Sequence, residues 1–323
     1  MHASWLVIAA ACTFAIAYRF YSAFLAAKVF VLDPGKTTPA VRLADGRDFH
    51  PTNRWILFGH HFAAIAGAGP LIGPILAAQF GFLPGALWIL IGCVVAGSVH
   101  DFVVLFASVR HNGGSLAQIA GTEIGSLAGK TASVALLFIL TAALAGFGLT
   151  VVNSLTHSPW GTFSISATIP IALLMGLYLY KLRPGKVAET TVIGVTLLFL
   201  AVVLGNTVAS SPIAGWFSLS RNTLVLCIAV YGFVASVLPV WMLLCPRDYL
   251  STYLKIGTAT LLAAGIILID PELKMPSTTI FTSGGGPVLP GKVFPFMFIT
   301  IACGAVSGFH SLVASGTTPK MIK

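Results

Sequence analysis

The sequence predicts an all-α polytopic membrane protein of about nine transmembrane helices, on three observations. Of the 323 residues, 57% are hydrophobic and only 8% are charged, against roughly 45–50% and about 25% in an average soluble domain. The apolar residues fall in runs of about twenty, the length a helix rising about 1.5 Å per residue needs to cross a hydrocarbon core of about 30 Å. The alternating segments of roughly ten residues that mark a membrane β-barrel are missing.

Taken in order, the spans are Ser4–Leu25, Trp55–Gln79, Pro84–Ser108, Thr131–Val152, Ile165–Tyr180, Thr191–Ala209, Thr223–Leu244, Tyr249–Ile269 and Phe294–Ser315. The first has no basic residue before it and carries Arg19 and Lys28, the reverse of a signal peptide's charge order. It is therefore a retained first span within residues 1–32. The longest connections, Ala26–Arg54 and Asp270–Val293, hold most of the proline, glycine and acidic residues. All five cysteines lie in or beside apolar runs without CxxC spacing, which makes them small packing residues rather than metal ligands or a disulfide framework.

The net charge of +9 is not a nucleic-acid patch, because the basic residues are dispersed through the connections. Fourteen of the eighteen Lys and Arg, from Lys28 to Lys323 and including Lys255, are assigned to one side, and only Arg221, Lys274 and Lys292 to the other. The positive-inside rule then places the N-terminus outside and the first long connection in the cytoplasm, in a bacterial inner membrane.

The second span holds Gly67-Ala-Gly-Pro-Leu-Ile-Gly-Pro74. Proline removes a backbone donor and clashes with the preceding turn, and glycine is the next poorest helix former, so a regular helix cannot continue there. Unpaired backbone at membrane depth is tolerated only against protein or a water-filled cavity. The break begins twelve residues after Trp55, about 18 Å along the helix and hence near the midplane, where transporters bind their solutes. Gly67, Gly69, Pro70 and Gly73 are the candidate substrate-binding residues. The plainer alternative is a proline kink or a glycine packing surface. A second break is expected at Ala235-Ser-Val-Leu-Pro239 in span seven, adding Ser236 and Pro239. Two breaks five spans apart are what an inverted repeat of five helices produces.

Ionisable groups within spans are costly and usually face the bundle interior or a pathway. Here they are His60 and His61 in span two, His100 and Asp101 in span three and His310 in span nine. A histidine next to a carboxylate suits a proton-coupled step. The alternative is a structural pair locking two helices together. Ser307, Ser311 and Ser315 recur every four residues and form a hydroxyl stripe on one helix face. Ser311 and Ser315 either bond their own backbone or supply oxygens to a sodium ion beside the carbonyls near Gly67. The coupling ion is left as a proton or sodium, no other cofactor is expected, and no metal site is assigned. No phosphate loop, HExxH or dinucleotide glycine motif is present, so neither an ATP-driven pump nor an enzyme is predicted.

The blocks Phe58-Gly-His-His-Phe-Ala-Ala-Ile-Ala-Gly-Ala-Gly-Pro70, Val99-His-Asp-Phe102, Pro246-Arg-Asp-Tyr-Leu-Ser251 and Gly304-Ala-Val-Ser-Gly-Phe-His-Ser-Leu-Val-Ala-Ser-Gly-Thr-Thr-Pro-Lys320 closely resemble the carbon starvation protein A family. The likeness runs from the first span to the end of the chain. It implies a secondary transporter of the amino acid–polyamine–cation superfamily with a five-plus-five inverted-repeat core, spans two to nine matching core helices one to eight. Residues 55–209 would be the first repeat and 223–323 the second. The family pattern continues past Lys320 whereas this chain stops at Lys323, so the resemblance also implies a second repeat short of its last two helices. The function it implies is cation-coupled import of peptides, with a proton-coupled pyruvate or other small-carboxylate symporter as the alternative. A starvation sensor that moves no solute is the reading from another class.

Overall fold

The computed structural model describes residues 1–33 and 35–323. It is an all-helical polytopic membrane protein. Among the described residues seven helices are individually long and apolar enough to cross a bilayer. They are α1 (Ser4–Val29), α4 (Phe82–Arg110), α6 (Ser126–Leu155), α7 (Pro159–Leu182), α8 (Val187–Ala209), α10 (Leu244–Ile269) and a final span, Val293–Lys320. That last one divides into α11 (Val293–Ala305) and α12 (Gly308–Gly316). Span two is a bent pair, α2 (Arg54–Ile65) and α3 (Ala68–Ala77), turning by 41°. A short helix α5 (Leu116–Glu123) precedes α6, and α9 (Arg221–Val237) has only 17 residues.

Burial is inverted relative to a soluble fold. Leu137, Phe138 and Leu268 are 68%, 74% and 84% exposed, the apolar surface that lipid requires. Polar groups instead gather inside, where His60 is 2% and Ser315 2% exposed.

Several helix starts fall earlier than the hydropathy pattern suggests. α7 starts at Pro159 behind Ser158, whose hydroxyl accepts from Gly161 N. α10 starts at Leu244, with Pro246 in its first turn. Both prolines occupy positions whose N–H would have no helical partner in any case. The expected break within span seven is corrected. α9 stops at Val237 and residues 238–243 are non-helical, so Pro239 lies in the connection to α10 and interrupts no span. The second interruption sits in span nine, at Val306 (φ −144°, ψ 87°) and Ser307 (φ −96°, ψ 127°).

The two interrupted spans lie side by side, α3 against α11 and α2 against α12. Small residues let them approach. A Cβ on Gly69 would lie 2.4 Å from Cys303 Sγ, and one on Gly73 would lie 2.4 Å from Thr300 O. On the far side of α11, Gly97 of α4 would place a Cβ 2.0 Å from Ala305 O. α11 is thus pressed between α3 and α4, with Phe80, Met297, Ile301 and Ala305 as the buried core. A second core joins α2, α7, α8 and α10 through Ile56, Met175, Leu198 and Leu250.

The connections fall into two sets. At one end, Gln79 below α3 accepts from Val288 N and Leu289 N and donates to Leu289 O, while His2 bonds the backbone oxygen of Asp270. At the other, His50 N and Thr52 N donate to Lys320 O and Met321 O, and Arg42 bonds Asn112. There His111, just past α4, donates to Ala107 O and to Glu123. Both bonds, the backbone one first, hold its imidazole pKa above the ordinary value. Lys255 lies eleven residues into α10 and belongs to neither end.

Gly73→Ala is expected to destabilise the protein by about 1–3 kcal/mol, because the neighbour it would strike is rigid backbone. Gly67→Ala, with nothing within 4 Å of its Cβ, should change the unfolding temperature little. Equal Tm values for the two variants would show that the α3–α11 contact is looser than described.

Candidate functional site

The site forms where the two interrupted spans cross. α2 ends at Ile65 because Ala66 (φ −83°, ψ 56°) and Gly67 (ψ −164°) leave the helical region. Gly67 caps α3, and Pro70 falls in its first turn, where no donor is needed. Pro74 inside α3 leaves the Pro70 carbonyl without its usual i+4 donor. Gly304 of α11 packs over that carbonyl.

Interrupting α2 frees the last carbonyls of the helix, which carry the negative end of its dipole. Phe62 O keeps a backbone donor, Ala66 N. Two cationic or ionisable side chains take two of the others. Lys255 Nζ of α10 donates to Ala63 O at 2.7 Å. His310 Nε2 of α12 donates to Ile65 O at 3.2 Å. A carbonyl can only accept, so Nε2 must carry a hydrogen.

That requirement fixes the proton count of the next bond. His310 Nδ1 lies 3.1 Å from Asp101 Oδ2 of α4. One proton lies between them, either on the ring, as imidazolium with carboxylate, or on the acid, beside a neutral ring. Both arrangements are neutral overall. His100, the preceding residue, places its Nδ1 3.2 Å from Asp101 Oδ1. His310 is 12% and Asp101 20% exposed at the side chain, so the pair is largely withdrawn from solvent.

A second pair lies beside it. His60 Nδ1 is 2.8 Å from Asp248 Oδ2 of α10, and its Nε2 is 2.9 Å from Thr317 Oγ1 at the end of α12. His61 Nδ1 is 2.7 Å from Thr318 Oγ1. The two His–Asp pairs therefore run in opposite directions across one junction. One joins α2 to α10, the other joins α12 to α4, and each histidine's second nitrogen ties α2 to the α12 segment. In formal charge Asp101 and Asp248 give −2, Lys255 gives +1 and the single proton held by His310 and Asp101 gives +1, with the neighbouring Arg247 adding a further +1.

The sequence-predicted residues separate accordingly. His60, His61, His100, Asp101 and His310 come together here. Gly67 stands at the break with open space beside it, whereas Gly69 and Gly73 are packing glycines whose Cα faces are filled by α11. Ser311 Oγ donates to Gly308 O and Ser315 Oγ to Ser311 O, bonds that leave the lone pairs of both oxygens free. Ser307 is no part of a continuous stripe, because it is the N-cap of α12 and accepts from Phe309 N. Ser236 is exposed and donates to Phe233 O in α9, which packs on α6. Neither it nor Pro239 joins the cluster by a hydrogen bond among the described residues.

Asp248, Thr252 and Lys255 are the functional groups that hydropathy passes over. Their spacing, i, i+4 and i+7, is one helix face, and the face meets α2. Thr252 Oγ1 donates to Gly59 O at 2.6 Å, and a Cβ on Gly59 would lie 2.6 Å from Tyr249 Cδ2. Next to this contact a groove of about 300 Å³ between α2 and α10 is lined by Trp55, Phe58, Tyr249 and Tyr253. The walls nearest the break are also aromatic, Phe147 of α6 lying 6.0 Å from Phe309 of α12 between ring centres.

A double-mutant cycle on Asp101→Asn and His310→Ala should return an interaction of about 1–3 kcal/mol in thermal or denaturant unfolding. Strictly additive losses would mean that the ring and the carboxylate act independently.

Comparison with known proteins follows the same lines. Residues 2–323 match the family described as carbon starvation protein CstA. A peptide transporter CstA of Campylobacter jejuni is 55% identical over 323 residues, covering 99% of this chain and 46% of the relative. The peptide transporter CstA of Escherichia coli is 55% identical over 323 residues, covering 100% and 46%. A pyruvate/proton symporter BtsT of Escherichia coli is 51% identical over 321 residues, covering 99% and 45%. The chain thus spans about half the length of the curated relatives it matches. No solved structure matches. With a match over nearly its whole length, the chain belongs to the carbon starvation protein CstA family.

Proposed function

We infer that this chain supplies the core of a proton-coupled secondary transporter that imports peptides. The single observation that carries the reading is the crossing of α2–α3 with α11–α12, held by a His310–Asp101 pair that keeps one exchangeable proton. The N-terminal ends of α3 and α12 open at the crossing, and Gly67 and Gly308 have nothing within 4 Å of where a Cβ would be. Backbone N–H groups and the positive dipole end there suit a carboxylate, which every peptide carries. The printed names of the Campylobacter and Escherichia relatives support the peptide reading.

The second reading is import of pyruvate or another small carboxylate, favoured by the 51% identity to a relative named as a pyruvate/proton symporter. The same helix ends would hold that carboxylate. Both readings make the protein a carrier and not an enzyme.

In this reading residues 55–209 and 223–323 belong to two repeats, and one interrupted span falls in each. Spans two and nine are seven apart, not five, so the two interruptions do not fall at equivalent positions of a five-helix repeat, and it is the crossing of two broken spans that supports the reading. The protein sits in the bacterial inner membrane with its N-terminus outside, in keeping with the basic residues around Lys28–Arg54 and Arg110–Lys130.

Liposomes carrying the protein should accumulate labelled dipeptide when an inward proton gradient is imposed and should not respond to a sodium gradient alone. Uptake of pyruvate in place of dipeptide would select the second reading. No gradient-driven uptake of either would overturn both in favour of a non-transporting sensor, and a reporter fused at Gly35 found outside the cell would reverse the orientation.

A further inference from the structure

The first half of α1, Ser4–Ile16, packs on α4 at Phe82–Gly92 and on α10. Further along, α1 and α4 stand apart. Between them is a cavity of about 280 Å³, walled by Ala17, Tyr21 and Leu25 of α1 and by Cys93, Val94 and Phe102 of α4. The π-helical turns Ala17–Tyr21 and Leu25–Val29 of α1 and Cys93–Gly97 of α4 border it, and such turns recur at functional sites. Tyr18, on the rim, is 81% exposed, so the cavity opens sideways toward lipid. Phe30 closes its other end, its ring lying 4.8 Å from Phe102 and 5.1 Å from Phe106.

Two cations stand at that closed end. Arg110 lies over the Phe106 ring at 4.7 Å, the same ring that Phe30 meets, and Lys28 is two residues before Phe30. Both are exposed, and the ion pairs among the described residues include neither. A guanidinium above a ring keeps its N–H groups directed outward in its own plane. The acids nearest in sequence are engaged elsewhere, Asp33 by Gly35 N and Glu123 by His111. Basic residues orient a membrane protein wherever they stand on one side. Orientation requires no cavity beneath them.

An apolar cavity offers water few partners, whereas an acyl chain makes dispersion contacts along its whole length. A phosphate at the closed end meets an ammonium and a guanidinium that can hold two of its oxygens. We propose that the gap between α1 and α4 binds one anionic glycerophospholipid, an acyl chain filling the cavity and the phosphate lying against Arg110 and Lys28. A zwitterionic lipid fits the cavity equally but brings a cation of its own to the two already there. Cys93 joins this site to the second interrupted span, since it lines the cavity and its Sγ donates to Gly304 O of α11. The bound lipid braces α4 against α11, and its loss reads as lost stability whatever solute is carried.

The purified, delipidated protein is melted in detergent with added phosphatidylglycerol or with phosphatidylcholine of the same chains, and retained lipid is counted by native mass spectrometry. Wild type should retain one phosphatidylglycerol and melt about 3 °C or more higher with it than with phosphatidylcholine. Lys28→Gln combined with Arg110→Gln should lose that difference. Ala17→Trp, which fills the cavity and leaves both cations, should lose the retained lipid. Equal effects of the two lipids on wild type, or a preference for phosphatidylglycerol that survives the double Gln change, would overturn the proposal. So would a dimer that Ala17→Trp disperses, which gives the cavity to a second copy of the chain. If Ala17→Trp does not fold, the changes at the exposed Lys28 and Arg110 still decide.

Discussion

The carbonyl groups left open at the end of α2 are the constraint on which the rest of the site depends. In water they would be hydrated at little cost, but in a bilayer each must find a donor within the protein. Lys255 reaches Ala63 O from α10, and His310 reaches Ile65 O from α12. Those two bonds fix where α10 and α12 stand relative to α2. They also fix the chemistry, because a histidine that must donate to a carbonyl from one nitrogen has only the other for Asp101. A backbone need becomes a proton count.

The same geometry explains why the glycines cluster where they do. α3 and α11 meet at Gly69, Gly73 and Gly304, so these halves of the two spans are in backbone contact. The other halves, α2 and α12, are held apart by side chains and joined by hydrogen bonds through His60, His61, Thr317 and Thr318. Close apolar packing resists sliding, whereas bonds between titratable groups can be exchanged when a proton arrives or leaves.

Some of this was legible in the residues and some was not, for physical reasons. The interruption at Gly67–Pro74 could be read because proline and glycine act on the backbone wherever they occur. The second interruption carries no proline. It forms at Val306–Ser307, between Gly304 and Gly308, where the only local sign is a serine placed to cap α12. Pro239 drew the reading to span seven because proline is the louder signal, yet there it ends a helix without breaking a span. Asp101 and His310 stand out as charges in apolar runs, but their pairing spans 209 positions and has no local signature. Asp248 and Lys255 were hidden by a boundary error. With α10 starting at Tyr249 they look like membrane-edge charges, and with its start at Leu244 they become one interior face.

The central claim is that the two interrupted spans are α2–α3 and α11–α12, and that they lie in contact at membrane depth. Oxidation of a Gly69→Cys variant in native membranes, read by mass spectrometry of linked peptides, tests it most directly. A Cβ at position 69 would lie 2.4 Å from Cys303 Sγ and 3.0 Å from its Cβ, close to the separation a disulfide requires after a small shift. The account predicts a link between position 69 and Cys303 that disappears in the Gly69→Cys, Cys303→Ala double variant. A link instead to Cys227 of α9 would pair the break with span seven and contradict it.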